Sequence, residues 1–460
     1  MASFLFGCNS EKAPAEKASA EKSSAETHPA EAPEEHRVVA RGKPNIVFIL
    51  ADDLDARLLE EHLEDYPNLE KLAAQGTTFE NAFVTTSLCC PSRATILRGQ
   101  YSHNHGVLTN YGPRGGFEKF KSLGHEKSTI ATWLASKRYR TVLLGKYLNE
   151  KPPGYDPPGW EKVLGTGGAY HTDGLADKAT EFIRRTKGKR RPFFMYLGTR
   201  WPHSPATPAP RHADAFPGAR VPRPPSFSEE DVSDKPAWIR DNPLTPEEIA
   251  HLDEFYRKRL QSMLAIDEMV GDIVDSLAEI GKLENTYLFF SSDNGLPLGT
   301  HREIHGKWSP YEEDIRVPLI VRGPGVPQDT VQQHMVLNND LAPTFAKLGR
   351  ARIPRFVDGR SFVPLLRSSP PSNWRSAFLA EGLRDGPSLD NPGYEAVRTE
   401  DYLWVEYATG ERELYDLRED PDELASLHER APDDLKENLS SRLDELRDCA
   451  AKGCRAAEGF

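Results

Sequence analysis

The sequence has few cysteines, no excess of positive charge and no long apolar run. Its 460 residues include five cysteines and carry a formal net charge of −12. This acidic balance argues against non-specific nucleic-acid binding, which needs a positive surface. It leaves an anionic substrate open, because a small basic pocket can lie inside an acidic protein. No apolar run approaches the roughly 20 residues that span a bilayer.

The bulk composition is typical of a globular protein rich in loops. Hydrophobic residues make up 38% and charged residues 28% of the chain, which fits a folded soluble protein. The length suffices for one large α/β domain and a smaller appended one. With 37 prolines and 34 glycines, the chain favours turns and long loops, which suit a site assembled from loops.

The first 42 residues lack the composition of a folded segment. Leu5-Phe6-Gly7-Cys8 resembles a bacterial lipobox, so a lipid anchor at Cys8 and an extracytoplasmic, secreted or membrane-anchored location are expected. Only seven residues precede Cys8, fewer than a usual signal peptide supplies, so an accidental match is the alternative. Residues 11–36 repeat Ala-Glu without large apolar side chains and indicate a solvated tether.

The remaining cysteines form two pairs in the sequence. Cys89 and Cys90 are adjacent, a spacing that closes a disulfide only with strain. Cys449 and Cys454 have a workable spacing for a small disulfide loop, which would imply an oxidising compartment. Two free thiols are the alternative.

Apolar runs alternate with helical patterns along most of the chain. Runs typical of buried strands occupy residues 45–50, 141–144, 193–197 and 287–290, and a fifth, at 317–321, contains Pro318 and indicates an edge or irregular strand. Apolar spacings of three and four predict helices over residues 173–185 and 246–280. This alternation predicts an α/β fold with a large, mostly parallel sheet covered by helices on both faces.

The pattern changes in two later regions. Residues 202–245 are rich in proline and predict a long loop. Residues 395–398 and 402–407 predict two antiparallel strands, and residues 433–449 a final helix. We therefore expect the larger domain over residues 43–374 and a smaller α+β subdomain over residues 375–460.

The most specific motif is Cys89-Cys90-Pro91-Ser92-Arg93. It combines a reactive side chain, a proline turn and an arginine that can hold an anion. A buried structural thiol is the alternative for Cys89. With the segment that follows, residues 94–99, the motif resembles the type I sulfatase signature Cys-x-Pro-Ser-Arg. The resemblance implies an alkaline-phosphatase-like fold, oxidation of Cys89 to Cα-formylglycine by a formylglycine-generating enzyme, and positioning of that group by Arg93.

Two pairs of residues with side-chain oxygens each follow a predicted buried strand. Asp52 and Asp53 follow the first strand, and Asp293 and Asn294 follow the strand at 287–290. Parallel sheets bind ligands at the carboxyl ends of their strands, and an all-oxygen ligand set suits calcium or magnesium. Helix capping or a turn is the alternative for either pair alone. The resemblance implies that these four residues bind calcium together with the formylglycine at position 89.

Cationic residues also lie near strand ends. Lys146 follows the strand at 141–144, His203 follows the strand at 193–197, and residues 301–308 contain His305 and Lys307. Each one alone is more often a solvated side chain. The resemblance assigns Lys146, His203 and Lys307 to sulfate contact and leaving-group protonation. His305 is a further candidate for substrate binding.

One position departs from the family pattern. Many sulfatases carry a histidine two residues after the first lysine, where this chain has Leu148. That contact to the formylglycine hydroxyl is either absent or supplied by another group, for which His103, His105 and Asn149 are the candidates. The segment Gly145-Lys146-Tyr147-Leu148-Asn149 resembles instead the N-acetylglucosamine-6-sulfatase branch.

The sequence thus predicts a calcium-dependent sulfatase that cleaves a sulfate monoester. The branch resemblance favours a sulfated amino sugar in a polysaccharide, and small aryl or choline sulfates are the alternatives. Two other functions stay open. One is a phosphodiesterase or phosphonate monoester hydrolase of the same superfamily, and the other is a carbohydrate-binding pseudoenzyme.

Overall fold

The computed structural model describes residues 42–304, 306–382 and 392–459. The expected tether, Cys8 and His305 lie outside these ranges. No helix of the described ranges is long and apolar enough to cross a membrane.

The described residues form a large mixed sheet, a small pair of strands and a separate antiparallel sheet. The large sheet has the strand order β5-β4-β6-β1-β7-β8-β2-β9, and the antiparallel sheet has the order β11-β12-β13-β14. The strands are β1 Asn45–Asp52, β2 Thr77–Phe79, β3 Ala82–Phe83, β4 Arg140–Gly145, β5 Lys162–Leu164, β6 Phe193–Pro202, β7 Thr286–Ser292, β8 Leu319–Arg322, β9 Thr330–Gln332, β10 Val336–Leu337, β11 Ala377–Glu381, β12 Tyr394–Thr399, β13 Tyr402–Tyr407 and β14 Arg412–Asp416.

Helices lie between most of these strands. They are α1 Ala56–His62, α2 Pro67–Ala74, α3 Cys89–Arg98, α4 Ser102–His105, α5 Gly116–Ser122, α6 Ile130–Ser136, α7 His171–Arg184, α8 Ala237–Arg240, α9 Pro246–Glu279, α10 Glu312–Ile315, α11 Leu341–Leu348, α12 Asp433–Arg447 and α13 Lys452–Ala457. The long helix α9 begins at a capping box between Thr245 and Glu248, with Pro246 at its first position.

Strand β1 shows why the sheet needs helices on both faces. Every residue of β1 is buried, and alternate side chains point to opposite faces. Val47 and Ile49 join the core cluster that contains residues of α7 and α9. Ile46 and Phe48 join the other cluster, which contains residues of α3, α6 and α11. The prediction of a mostly parallel sheet sandwiched by helices is confirmed.

Strand β8 corrects one sequence expectation. The run at 317–321 was expected to form an edge or irregular strand because of Pro318. Instead β8 pairs antiparallel with β7 on one side and with β2 on the other. The strand begins at Leu319, so the missing N–H of Pro318 lies outside the hydrogen-bond ladder and costs the sheet nothing.

The C-terminal residues fold much as predicted. The expected strand pair corresponds to β12 and β13, which are antiparallel, and the final helix ends at Arg447. Cys449 and Cys454 form a disulfide, which decides between the two alternatives for this pair. The boundary between residues 374 and 375 stays a prediction.

Candidate active site

The site lies where adjacent parallel strands end. Strand β1 lies between β6 and β7 and runs parallel to both, and β4 lies on the far side of β6. Their carboxyl ends therefore meet at one edge, which is where open α/β sheets bind ligands. Asp53, Lys146 and Asp293 each directly follow the last residue of a strand. The sheet order brings them together although they are up to 240 residues apart in sequence.

Hydrogen bonds connect the acidic residues and Asn294. The Asp53 backbone N–H donates to Asp293 Oδ1 at 3.1 Å, and Asn294 Nδ2 donates to Asp53 Oδ1 at 2.9 Å. Asp53 has a φ of 63°, a left-handed conformation that aspartate tolerates better than most residues and that often marks functional sites. All four side chains of the set, including Asp52, are at most 2% exposed.

This oxygen-rich set fits a hard divalent cation. Asn294 Oδ1 is buried and has no hydrogen-bond partner among the described residues, although buried polar atoms normally have one. Side-chain ligand atoms of Asp52, Asp53, Cys89 and His203 lie within 4.8 Å of one another. Carboxylate and amide oxygens are the ligands that calcium prefers.

Cys89 is the first residue of α3 and is almost completely buried. Its Sγ lies 3.6 Å from Asp52 Oδ1, 3.8 Å from Asp53 Oδ1 and 3.3 Å from Lys307 Nζ. Burial raises the pKa of the Cys89 thiol to about 12, although Lys146 and Lys307 oppose that rise. The thiol is therefore protonated near neutral pH and is a poor nucleophile as it stands.

Arg93 lies one turn further along α3 and is fully buried. Its Nε donates to Asp293 Oδ2 at 2.6 Å, and its Nη1 donates to the Lys146 carbonyl at 2.9 Å. Nη2 lies 3.9 Å from Asp52 Oδ2. Arg93 thus connects three strand ends and fixes their relative positions through charge-assisted hydrogen bonds.

Two lysines balance the two adjacent aspartates. Lys146 Nζ lies 2.5 Å from Asp52 Oδ2, and Lys307 Nζ lies 2.5 Å from Asp53 Oδ1. Burial alone would raise the pKa of Asp52, but Lys146 and Arg93 lower it overall. The paired lysines let two neighbouring carboxylates stay ionised in a buried site.

His203 follows β6 and is the most exposed of the predicted site residues that the structure describes. Its side chain is 36% exposed, and its Nε2 lies 3.7 Å from Asp53 Oδ2. Its Nδ1 lies 2.7 Å from the Ser204 carbonyl, which fixes Nδ1 as the donor and leaves Nε2 facing the site.

The contact missing at Leu148 has one remaining candidate replacement. Leu148 is buried in the core. Both ring nitrogens of His103 already have hydrogen-bond partners, namely Glu381 and the Cys449 carbonyl. Both ring nitrogens of His105 are also occupied, by Thr95 Oγ1 and the Val107 N–H. Asn149, in contrast, lines the pocket that reaches the site. The two histidines are therefore wrong as replacements.

An open pocket of about 840 Å³ leads to these residues. Asp52, Lys146 and His203 belong to its lining. The rest of the lining contains polar and aromatic residues, among them Tyr111, Asn149, Glu150, His171, Arg200 and Trp201. Such a pocket admits a ligand of the size of a sugar ring with further groups attached.

Sequence reasoning assigned no role to the residues that support the site from behind, although Ser92 lies in the motif. Ser92 Oγ donates to the Asp293 carbonyl and accepts from Asn338 Nδ2. Arg259, fully buried on α9, donates to the Asp53 carbonyl at 2.8 Å and to Asp55 Oδ2 at 2.7 Å. Arg259 left one sequence signal, because it is a charged residue between the apolar positions Phe255 and Met263 of the same helix.

Carboxylates and buried cations at this edge of an alkaline-phosphatase-like sheet suit a hydrolase that acts on an anionic ester. The sulfatase family model matches residues 44–351, and the model for the C-terminal region of N-sulphoglucosamine sulphohydrolase matches residues 299–449. The chain belongs to the sulfatase family and is a sulfatase, as its signature motif predicts.

Relatives with curated names match nearly the whole chain. The arylsulfatase of Volvox carteri is 34% identical over 90% of this chain and 76% of its own length. The human N-acetylglucosamine-6-sulfatase is 34% identical over 91% of this chain and 87% of its own length.

Solved structures share the fold at lower identity. A protein in complex with its substrate D-glucosamine-2-N,6-O-disulfate aligns with a TM-score of 0.76 and 24% identity, over 88% of this chain and 97% of that one. The phosphonate monoester hydrolase of Silicibacter pomeroyi aligns with a TM-score of 0.69 and 22% identity, over 87% and 93% of the two chains.

Proposed function

We propose that this sulfatase removes a sulfate group from a sulfated amino sugar, using a formylglycine made from Cys89 and a calcium ion. The observation that carries this proposal is the position of Cys89 Sγ. It lies within 3.3–3.8 Å of Lys307 Nζ and of carboxylate oxygens of Asp52 and Asp53. A reacting oxygen at that place would meet both a metal site and a cation.

The state of the thiol supports the proposed modification. With a pKa of about 12, Cys89 holds its proton and offers little thiolate for attack. The hydrated aldehyde of a formylglycine would supply a geminal hydroxyl as nucleophile, and its second hydroxyl would allow release of sulfate. An unmodified cysteine or serine has no second hydroxyl.

The proposed calcium ligands are Asp52, Asp53, Asp293, Asn294 and the modified residue 89. Asn294 Oδ1 has no hydrogen-bond partner among the described residues, and ligand atoms of Asp52, Asp53 and Cys89, together with one of His203, lie within 4.8 Å of one another. Both observations support this assignment. A bound calcium would supply positive charge next to the nucleophile and the sulfate.

The proposed roles of the cations follow from their positions. Lys146 lines the pocket and is held at Asp52, so its ammonium would face a sulfate oxygen from one side. Lys307, held between Asp53 and Cys89 Sγ, would face it from the other. Arg93, buried behind them, would position the formylglycine and neutralise Asp293.

His203 is the better placed of the two candidates for protonating the departing oxygen. It is 36% exposed and lines the pocket through which the substrate enters. The Lys307 side chain is 16% exposed and already contacts Asp53. A general acid must lie within hydrogen-bond reach of the leaving oxygen. That oxygen would be attached to the rest of the substrate, which would lie in the pocket, on the side where His203 is. The role of His305 in substrate binding stays a prediction.

The substrate class is proposed from the relatives and the pocket. N-acetylglucosamine-6-sulfatases are among the relatives at 34% identity. Tyr111, Trp201 and Arg200 in the pocket lining offer aromatic faces and a cation, which suit a sugar ring and a second anionic group.

The test is a paired assay on protein produced together with a formylglycine-generating enzyme. Peptide mass spectrometry measures the modification of Cys89, and the same sample is assayed with N-acetylglucosamine 6-sulfate, an aryl sulfate and matched phosphate and phosphonate esters. Modified protein that prefers the sulfated amino sugar is the expected result. A preference for phosphonate or phosphate diesters would favour the rival hydrolase. Modified protein inactive on every ester would favour the pseudoenzyme, and full activity with unmodified Cys89 would overturn the mechanism.

We also propose an extracytoplasmic location. The disulfide between Cys449 and Cys454 supports an oxidising compartment. The proposed lipid anchor at Cys8 lies outside the described residues. Cell fractionation of the native protein and a Cys8→Ser variant tests it, because only the variant should leave the membrane fraction.

A further inference from the structure

A second group of possible metal ligands lies outside the active site. It consists of His301, Glu313 and Glu423, whose ligand atoms all lie within 4.8 Å of one another. The three residues come from separate segments: the loop between β7 and α10, the helix α10 itself, and the segment between β14 and α12. None of them is among the residues proposed to bind calcium.

The surroundings of His301 orient its ring as a metal ligand would need. His301 is 1% exposed, and its Nδ1 lies 2.9 Å from Glu229 Oε2. Because a carboxylate only accepts, Nδ1 carries the proton and Nε2 presents its lone pair. Nε2 is buried and has no hydrogen-bond partner in the described ranges. A carboxylate that orients the far nitrogen of a histidine is the usual arrangement behind a metal ligand.

The orienting carboxylate is itself held in place. Glu229 is 6% exposed, and Lys235 Nζ lies 3.3 Å from its Oε1. Lys235 also donates to the Leu424 carbonyl at 2.7 Å, next to Glu423 in the chain. The Tyr311 ring stacks on the His301 ring at 4.2 Å between centroids. Glu229 and Tyr311 thus fix the imidazole from two sides, and Nε2 has no hydrogen-bond partner among the described residues.

The two glutamates lack enough positive charge for their burial. Glu423 is 1% exposed; its Oε2 accepts from the Glu312 N–H at 3.2 Å, and its Oε1 has no partner within the described part of the chain. The side chain of Glu313 is 15% exposed, and its nearest cation is Arg57 at 3.7 Å. Buried charges need a partner or a bound metal.

We propose that His301 Nε2 and the carboxylates of Glu313 and Glu423 bind one divalent cation of the zinc class. One imidazole nitrogen and two carboxylate oxygens form a donor set that suits zinc better than calcium, and water completes a tetrahedron. Ligand atoms around a tetrahedral zinc are roughly 3.3–3.6 Å apart. Since the ligand atoms lie within 4.8 Å of one another, the group would contract by no more than about 1.5 Å on binding.

The proposed ion would act as a structural clip near the active site. It would join the loop that carries Lys307, six residues after His301, to α10 and to the segment after β14. Glu313 and Thr300, the residue before His301, line a small pocket of about 30 Å³ beside the proposed site. The inference does not depend on the proposed substrate.

The first experiment is equilibrium dialysis of the full-length calcium-loaded enzyme against zinc, with calcium in excess. We expect one zinc ion per chain, and a loss of about tenfold or more in zinc affinity in His301→Gln and in Glu423→Gln. Asp53→Asn is the control and should lose calcium while it keeps zinc. Zinc that is retained by His301→Gln, or lost only by Asp53→Asn, would overturn the proposal.

A second measurement avoids the variants, in case they fail to fold. Anomalous diffraction at the zinc absorption edge, on zinc-soaked crystals of the unaltered protein, should give a peak between the His301 ring and the two glutamates. A zinc peak at Asp52 and Asp53 alone, or no peak, would refute the second site whatever the substrate of the enzyme is.

Discussion

The ammonium of Lys307 lies 2.5 Å from a carboxylate oxygen of Asp53. The two residues come from distant parts of the chain and meet at the carboxyl edge of the large sheet. Their ion pair is buried, so each partner depends on the other for its charge.

Lys307→Met should lower kcat/KM for a sulfate ester by about 10²–10³-fold, because it removes a buried cation next to the reacting group. The measurement is steady-state kinetics on samples with equal formylglycine content at Cys89. Lys127→Met, at an exposed lysine, is the matched control and should leave kcat/KM unchanged. Equal losses in both variants would contradict the proposed role.

Asp53→Asn should weaken calcium binding, because it removes a carboxylate from the oxygen set around Asn294. At a calcium concentration 100 times its Kd, the unaltered protein should gain about 2.7 kcal/mol of stability. The variant should gain much less at the same concentration. Thermal unfolding with and without calcium measures this difference. Asp214→Asn, at an exposed aspartate, should respond like the unaltered protein.

The disulfide should stabilise the C-terminal segment. Its cysteines are five positions apart, so loop closure predicts a loss of about 2 kcal/mol in the free energy of unfolding for the double variant Cys449→Ser/Cys454→Ser. Urea unfolding under oxidising conditions measures the loss. Adding a reductant should lower the stability of the unaltered protein and leave the variant unchanged, and an equal response of both would refute the prediction.

The ion pair between His103 and Glu381 should make stability depend on pH. Burial alone would lower the pKa of His103, but Glu381 raises it from 6.5 to about 9. Since the folded-state pKa is the higher one, the stabilisation is complete below about pH 6.5 and is lost as the pH rises through about 9. Protonated His103 thus contributes on the order of 3 kcal/mol to the free energy of unfolding.

The matched variant for this pair is His103→Gln. It should be less stable than the unaltered protein at pH 6, and the difference between the two should shrink by pH 10. Urea unfolding at both pH values measures it. A difference that stays constant or grows with pH would contradict the raised pKa.

Arg259→Met should destabilise the fold by about 3–5 kcal/mol, because it leaves the Asp55 carboxylate buried without its partner. Adding Asp55→Asn should recover part of that loss, since the unpaired charge is then gone. Chemical unfolding of the two single variants and the double variant measures the coupling. Strictly additive losses would show that the pair is not coupled.

Local chemistry explains why much of the fold was predictable. The buried runs that became β1, β4, β6 and β7 are apolar at nearly every position, a pattern typical of a strand covered on both faces. The capping box at Thr245 and the spacing of apolar residues in α9 are properties of the helix alone. Strand β8 was predicted, but as an edge or irregular strand, because Pro318 lies one residue before it. Its actual place between β7 and β2 depends on the order of the whole sheet.

The candidate site was likewise predictable only in part. Parallel strands end at the same edge of a sheet. The sequence therefore predicted a common edge for the residues at the ends of the predicted strands, which are Asp52, Asp53, Lys146 and Asp293. The engagement of His103 and His105 could not be predicted, since Glu381 and Thr95 belong to other elements. The support from Arg259 and Asn338 likewise depends on which helices pack beneath the site.

By itself the sequence determined the reactive motif at Cys89, the residues that end the buried strands, and the family. Those properties depend on neighbours within a few positions, where covalent geometry fixes the distances. Only the tertiary structure decided which cation balances which carboxylate, which histidines are already engaged, and that His301, Glu313 and Glu423 meet. Such contacts join segments far apart in the chain, and their distances are set by how the sheet and helices pack.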